Sequence, residues 1–390
     1  MTKRLRAYKV EIDPTPMQVD KINHTIGVCR YIYNLYLSKN EELHKAGEQF
    51  MSAMTFSKWL NNEFLPENPS YSWVKGVSSK AVKQSIFNAE RAYKNFFRDK
   101  KGFPRYKKRS DTSVKMYLPK NGPAEWTAER HRIKIPTLGY VQLKEYGYIP
   151  PGCNVTSGTV SRDAGRYFVS VLCGTEEESR GYAETSEGIG IDLGIKSLAV
   201  CSNGESFGNV NKTKKVRSLT KRLKRQQRSL SRKLQSKKKR KEKGKNRSAN
   251  IDKNVLKVQV YHMRLRNLRI EYVRRVVNSL VSANNLPSYV SIEDLNVSGM
   301  MKNRHLSKAI QQQLFHYFRQ YLKQRCDKYR VELREVDRFY PSSKMCHKCG
   351  MIKSDLKLSD RVYKCECGNI IDRDYQASLN IRDCGSYNVA

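Results

Sequence analysis

Apolar and polar residues alternate along RLRAYKVEID, residues 4–13, and the run stops at Pro14 and Pro16, which predicts a strand followed by a break. Pro16 suits the first turn of a helix. From Met17 to about residue 45, Val19, Ile22, Ile26, Val28, Tyr31, Ile32 and Leu35 recur at helical spacing, and Val82, Ile86, Ala89, Tyr93, Phe96 and Phe97 repeat that period between Val77 and Phe97. Residues 13–100 therefore read as a helical unit. After Gly102 and as far as Cys173 the pattern shortens to VKMYL, RIKIP, YVQLK, TVSRD and YFVSVLC, cut by Gly and Pro. These runs predict a small β-barrel or curled sheet that the first strand joins, with the helical unit as an insertion.

Beyond a polar linker, Glu176 to Glu187, the segment EGIGIDLGIKSLAVCSNGESFG predicts two strands joined by a turn at Ser202-Asn203-Gly204. A long helix over residues 255–281 follows from the stripe Leu256, Val260, Met263, Leu268, Tyr272, Val276 and Leu280. Pro287 ends the approach to a short strand at Tyr289. One helix is expected from Ile310 to Tyr329 and a strand from Val331 to Val336. No long-period repeat is present. The fold class predicted is multidomain α+β.

Charge changes the picture. The 390 residues include 75 Lys plus Arg against 37 Asp plus Glu, a net +38, and self-repulsion of that size is hard to hold in a compact protein without a polyanion. Nucleic acid is the expected partner. A hydrophobic content of 38% argues against a wholly disordered basic chain. About half of residues 211–250 are Lys or Arg, which reads either as a solvated arm or, from the spacing of Leu219, Leu223, Leu230 and Leu234, as a basic helix laid along phosphates. With no run of eighteen apolar residues and an N-terminus that turns polar at once, a cytoplasmic location without membrane partners is expected.

Three acids stand at ends of apolar strands or starts of helices: Asp192 in GIGIDLGI, Glu293 in VSIEDL, and the Asp372-Arg-Asp374 pair before Ala377, Leu379 and Ile381. Each alone also reads as a capped or hydrogen-bonded turn residue. Together they suggest carboxylates from neighbouring elements converging on divalent cations, with Mg²⁺ favoured because it takes a few carboxylates plus substrate phosphate. Two such ions would support phosphodiester hydrolysis. The sequence has no G-x-x-x-x-G-K-[ST] phosphate loop, so nothing in it supports ATP-driven work. Of ten cysteines, four crowd into Cys346-His-Lys-Cys349 and Cys365-Glu-Cys367-Gly, a spacing that matches structural zinc, although the second knuckle is one residue tighter than C-x-x-C. A redox pair would need a thioredoxin-like context, which is absent. Cys29, Cys153, Cys173, Cys201, Cys326 and Cys384 show no pairing pattern.

Taken in order, Gly190-Ile-Asp192-Leu-Gly, Ile292-Glu293-Asp-Leu, the cysteine knuckles, and Asp372-Arg-Asp374-Tyr-Gln-Ala-Ser-Leu-Asn380-Ile resemble TnpB, the OrfB-type nuclease of bacterial insertion sequences. Ala7-Tyr-Lys-Val, Pro14-Thr-Pro-Met-Gln18, Arg30-Tyr-Ile-Tyr-Asn34 and Gly102-Phe-Pro-Arg-Tyr-Lys are similar to the opening of that family. The resemblance implies an RNA-guided DNA endonuclease akin to miniature type V CRISPR effectors. Its implied architecture is a wedge-like β-barrel (residues 1–12 and 101–180) with a helical recognition insertion (13–100). An RNase H-like RuvC α/β domain (181–336 and 369–390) would carry a zinc-ribbon target-nucleic-acid-binding insertion (337–368).

The resemblance further implies Asp192, Glu293 and Asp374 as the catalytic, Mg²⁺-binding acids, Asp374 rather than Asp372 because the family motif holds the acid after Arg. Cys346, Cys349, Cys365 and Cys367 would hold Zn²⁺. Gln376 and Ser378 stand where N-A-A is commoner. The expected partners are an ωRNA guide, one protein per RNA, and target double-stranded DNA beside a short transposon-adjacent motif (TAM), with association to the nucleoid when on DNA. In such systems base pairing reads the sequence while protein reads duplex shape and a flanking motif. Lys80 and Gln84, one helical turn apart, are the candidates for that motif, or else plain surface residues. Arg105, Lys107, Lys108, Arg222 and Arg225 are candidates for RNA backbone. Alternatives are an RNA-guided repressor, a zinc-ribbon transposition regulator without cleavage, and a strand-joining transposase.

Overall fold

The computed structural model describes residues 2–99, 102–109, 114–120, 126–177, 187–242, 250–356 and 360–390. Compact contacts divide the chain into Met1–Ser179 and Arg180–Ala390.

In the first unit, β1 (Thr2–Asp13), β2 (Met116–Pro119), β3 (Thr127–Ala128), β4 (Arg132–Ile135), β5 (Gly139–Leu143), β6 (Asn154–Asp163) and β7 (Arg166–Glu177) form one antiparallel sheet in the order β2-β6-β7-β1-β5-β4-β3. The barrel expected from sequence is thus an open sheet among the described residues, because β2 and β3 stand at opposite edges without pairing. Period-2 alternation selects which side chains face inward but not whether the edges meet. The inward set includes Val10, Ile12, Met116, Ile133, Val141, Val160, Val169 and Val171. Cys153 and Cys173, which showed no pairing pattern in the sequence, bring their thiol sulfurs to 2.8 Å in this unit.

Between β1 and β2 the chain is helical: α1 (Pro16–Lys45), α2 (Ala53–Trp59), a π turn at Leu60–Phe64, α3 (Leu65–Glu67), a 3₁₀ stretch at Pro69–Gly76 and α4 (Ser79–Asp99). Thr15 caps α1 in a reciprocal box with Gln18, a device worth about 0.5–2 kcal/mol. The Gln18 amide also donates to the carbonyls of Leu138 and Tyr140, which fastens the helix start to the sheet. Apolar faces of α1 and α4 enclose a second core around Ile32, Tyr36, Leu37, Phe56, Ile86 and Ala89.

In the second unit, β8 (Ile189–Leu193), β9 (Ser197–Cys201) and β10 (Ser206–Gly208) form an antiparallel meander. Two long helices follow, α5 (Lys214–Glu242) and α6 (Ile251–Leu280), and lead to β11 (Tyr289–Glu293). Next come α7 (Val297–Met300), α8 (Ser307–Gln313), α9 (Phe315–Tyr329) and β12 (Glu332–Val336). A hairpin of β13 (Val362–Lys364) and β14 (Ile370–Asp372) runs into α10 (Arg373–Arg382), and β15 (Tyr387–Val389) closes the chain. The main sheet has the order β10-β9-β8-β11-β12-β15, with β11 parallel to both β8 and β12. Its core gathers Ile191, Leu198, Val276, Val277, Leu280, Val290, Ile292 and Phe318.

The basic segment is helical rather than a solvated arm over the described residues. Val216 and Leu223 of α5 are buried beside Leu265 of α6, whereas Leu234 is exposed. The single helix expected from Ile310 to Tyr329 is broken at Leu314, whose φ is +58°. A non-glycine residue there costs about 1–3 kcal/mol. The break lets Ile310, Phe315 and Phe318 all enter one core, while the buried Gln313 amide donates to the carbonyls of Gly194 and Ile195 just past β8.

Candidate functional site

Asp192 lies in β8, Glu293 at the end of β11, and Asp374 in the first turn of α10. Strand pairing puts Ile191 opposite Ile292, so the two acids that follow them occupy neighbouring strand ends. The third acid sits on α10, which lies directly on β8 at Gly190, and its charge acts on Asp192. A Cβ there would stand 2.1 Å from the carbonyl oxygen of Ser378 and 2.5 Å from the amide of Arg382, so only glycine permits the approach. The Gly-x-Gly pair two residues before Asp192 was the available signal for this contact.

Burial pushes the Asp192 carboxyl up to about 7, reinforced by the charges of Asp374 and Glu293, against a lowering by Arg373 and a further rise from Asp372. Glu293 is likewise raised to about 7, by burial first and then by Asp294. Carboxylates that share an apolar floor and repel one another favour a proton or a cation. The neighbouring acids have different employment. Asp372 is exposed and caps α10, accepting from the amides of Asp374 (2.9 Å) and Tyr375 (3.1 Å). Asp294 accepts from Arg319 at 2.8 Å and Arg338 at 2.5 Å, and Arg319 also grips Glu335. Asp374 meets Arg361 at 3.8 Å.

A pocket of about 300 Å³ opens beside Glu293, walled by Leu193, His316, Arg319 and Arg338. The acids suit a hard, oxygen-preferring cation in donor type, and of the three, Glu293 is the one that lines this pocket. Among the described residues, however, the one group of Cys, His, Asp or Glu side chains close enough to share an ion is Cys346, Cys349, Cys365 and Cys367.

Those four sulfurs lie within 4.8 Å of one another, with Cys346–Cys367 at 3.7 Å and Cys349–Cys365 at 3.5 Å. A tetrahedron with zinc–sulfur bonds of about 2.3 Å has edges of about 3.8 Å, so the cluster fits zinc. Gly350 (φ +74°) and Gly368 (φ +84°) make the two knuckle turns in the left-handed region, with their amides on the carbonyls of Cys346 and Cys365. The tighter C-x-C knuckle therefore closes without loss of the turn. Burial works against the Cys346 thiolate, yet the backbone amides of Cys349 and Lys348 and the Asn369 side chain bring its pKa down to about 6. His347 lies 3.7 Å from Asp383 rather than in the cluster.

The sequence-derived nucleic-acid contacts do not form one patch. Gln84 and Lys107 line a common cleft of about 760 Å³ in the first unit with Lys9, Asn88, Arg91 and Lys115. Gln84 donates to Asn88 at 3.1 Å. The Lys107 backbone is held by Asn34 through two hydrogen bonds of 2.7 and 3.0 Å, and its ammonium lies over Tyr33. Lys80 is half-buried on α4 and does not line the cleft, while Arg105 and Lys108 are exposed beside Lys107. In the second unit Arg222 and Arg225 are exposed on α5, a helix with 15 Lys or Arg and one acid, Glu242, over its 29 residues.

Three family models match the chain: "Helix-turn-helix domain" of the OrfB IS605 type over residues 1–49, "Probable transposase" of the same type over 171–304, and "Cas12f1-like, TNB domain" over 315–381. A Streptomyces pristinaespiralis protein described as "Putative RNA-guided DNA endonuclease" is 31% identical over 387 residues, 97% of this chain and 89% of that one. InsQ of Escherichia coli K12, which bears the same description, is 31% identical over 301 residues, 77% of this chain and 69% of its own. A solved Cas12f1–sgRNA–target DNA complex aligns over 97% of this chain at 16% identity with a TM-score of 0.36. On the sequence relatives, this chain belongs to the TnpB-like OrfB family of IS605-type elements, a family related to Cas12f. No described helix is long and apolar enough to cross a membrane.

Proposed function

We propose that this protein is an RNA-guided DNA endonuclease that cleaves phosphodiesters at Asp192, Glu293 and Asp374. The observation that carries the reading is the convergence of these acids from β8, β11 and α10, with Asp192 raised by both others. Mg²⁺ bound there would activate the attacking water and stabilise the leaving 3′ oxygen. The chain's own residues do the rest. Asp192 and Glu293 would hold the ion in their deprotonated form, α10 presents Asp374 across the Gly190 contact, and Arg319 with Arg338 hold Asp294 in hydrogen bonds. The meander β10-β9-β8 followed by parallel β11 and β12 supports a RuvC-like domain over 181–336 and 369–390, and the four-cysteine cluster a zinc-ribbon insertion over 337–368.

A bound ωRNA accounts for the +38 charge, with the exposed basic face of α5 along its backbone through Arg222 and Arg225. In the wedge-like domain (1–12 and 101–180) and its helical insertion (13–100), the cleft lined by Gln84 and Lys107 suits the DNA duplex beside the target, where a TAM would be read. Lys80, half-buried on α4 outside the cleft lining, is a further candidate for that motif, and the exposed Arg105 and Lys108 are candidates for RNA backbone.

The test is to purify the chain from cells carrying its flanking element end, sequence the bound RNA, and assay matched DNA with Mg²⁺. A discrete RNA and matched, metal-dependent cutting is the expected result. Matched binding without cutting would turn the reading into a repressor, and no defined RNA would overturn guidance.

A further inference from the structure

The cysteine cluster and the carboxylates are joined by a short path that the proposed activity does not require. Three residues, Ile370, Ile371 and Asp372, separate Asn369 from α10. The Asn369 amide nitrogen lies 3.5 Å from the Cys346 sulfur and 3.2 Å from the Gln376 side-chain oxygen. Gln376 is fully buried, two residues beyond Asp374 on the same helix, and its own amide nitrogen has no partner. A buried donor left unpaired is costly, so the contact that this side chain makes here is the one from its oxygen to Asn369. A second tie lies one turn on. Asn380 donates to the carbonyls of Ser342 (2.7 Å) and Met345 (2.8 Å), the latter adjacent to Cys346. Other polar contacts flank these ties, Arg373 to Ser343 (3.3 Å), Arg361 to Asp374 (3.8 Å) and His347 to Asp383 (3.7 Å), but Asn369 and Gln376 form a pair whose side chains are both buried. A partly exposed ion pair tolerates a shift of the helix, whereas a buried hydrogen-bonded pair has one register.

Resting on the carboxylate reading above, we infer that Asn369 and Gln376 are positioning residues that couple the four-cysteine cluster to α10, so that an ion held by the cysteines sets where Asp374 stands and hence how tightly the carboxylates bind a divalent cation. Coupling of this kind is reciprocal: a cation at the carboxylates also tightens zinc at the cysteines.

The experiment uses the full chain, zinc-loaded or zinc-stripped, with Mn²⁺ as probe and its binding read by electron paramagnetic resonance; Asp192→Asn marks binding that is not at the carboxylates. Stripping zinc from the wild type is expected to weaken Mn²⁺ about 10-fold or more, the scale of a lost support to a metal ligand. Gln376→Leu, zinc-loaded, is expected to show the same weakening, and stripping it to add under about threefold, because both changes remove one link. Wild-type affinity indifferent to zinc, or effects of stripping and Gln376→Leu that multiply, would overturn the coupling. Should Gln376→Leu fail to fold, the wild-type arm decides. Should no Mn²⁺ bind above the Asp192→Asn background, the carboxylate reading fails, and amide hydrogen exchange over 374–378 judges the link alone. Faster exchange on zinc removal supports it and unchanged exchange overturns it.

Discussion

The two candidate ion sites of the second unit are built in opposite ways. The cysteines come from 22 consecutive residues, and two glycine knuckles make the turns that bring their sulfurs within 4.8 Å of one another. The carboxylates come from strands and a helix separated by up to 182 residues; burial and the charges of Asp374 and Glu293 raise Asp192, while burial and Asp294 raise Glu293. A local site is assembled by turns, so its spacing is visible in sequence. A distributed site is assembled by packing, and it exists only if a helix lies close enough to a strand.

The largest break in this comparison comes from the acids themselves. Asp192→Ala or Glu293→Ala is expected to lower cleavage by about 1000-fold or more, the scale of several kcal/mol of charge stabilisation, with RNA binding nearly intact. Retained cutting by both variants would remove these acids from the mechanism. Cys346→Ser should lose stoichiometric zinc in elemental analysis and hydrogen-exchange protection over the hairpin, because structural zinc supplies folding energy. Full protection in a zinc-free chain would make the cysteines incidental. Gly190→Ala tests the packing directly. It should cost about 1–3 kcal/mol or more in denaturant unfolding and impair cleavage while leaving zinc bound. An unchanged midpoint would mean that α10 does not need its approach to β8.

The pH dependence sharpens the contrast further. Asp192 and Glu293 are raised to about 7 in the folded chain, so their stabilising contribution is present below about pH 4 and lost as pH rises through about 7. Without divalent cation, thermal stability of the second unit should fall across that window, and added Mg²⁺ should recover it at pH 7–8. A flat profile would contradict the buried, mutually repelling arrangement. The smallest effect belongs to α5. Arg222→Ala with Arg225→Ala should reduce the salt slope of RNA binding by about one for each phosphate that these arginines no longer neutralise, and leave both ion sites untouched.

Much of the architecture was legible because local rules sufficed. Period 3.6 marked α1, α4 and α6, period 2 marked β1 and β7, and the leucine spacing favoured a helix over a loose arm for α5. The break at Leu314 was not legible, because it answers to the carbonyls beyond β8 that Gln313 reaches. Whether the first sheet closes stayed open between a barrel and a curled sheet, because alternation does not decide which edges pair.

By itself the sequence determined the chemistry available: a charge that calls for a polyanion, four thiols at zinc spacing, and three acids at the ends of apolar runs. Only the tertiary structure decided which acids act on one another's charge. It gave Asp372 to a helix cap and Asp294 to two arginines, and it left Asp192, Glu293 and Asp374 in one electrostatic neighbourhood. It also decided that Gln376, which the sequence marks only as a departure from N-A-A, is buried against Asn369, which in turn reaches a cysteine sulfur. The physical reason is the same in each case. A residue type fixes what a side chain can donate, accept or repel, but burial and the neighbour across a packed interface set its free energy, and those neighbours are far away along the chain.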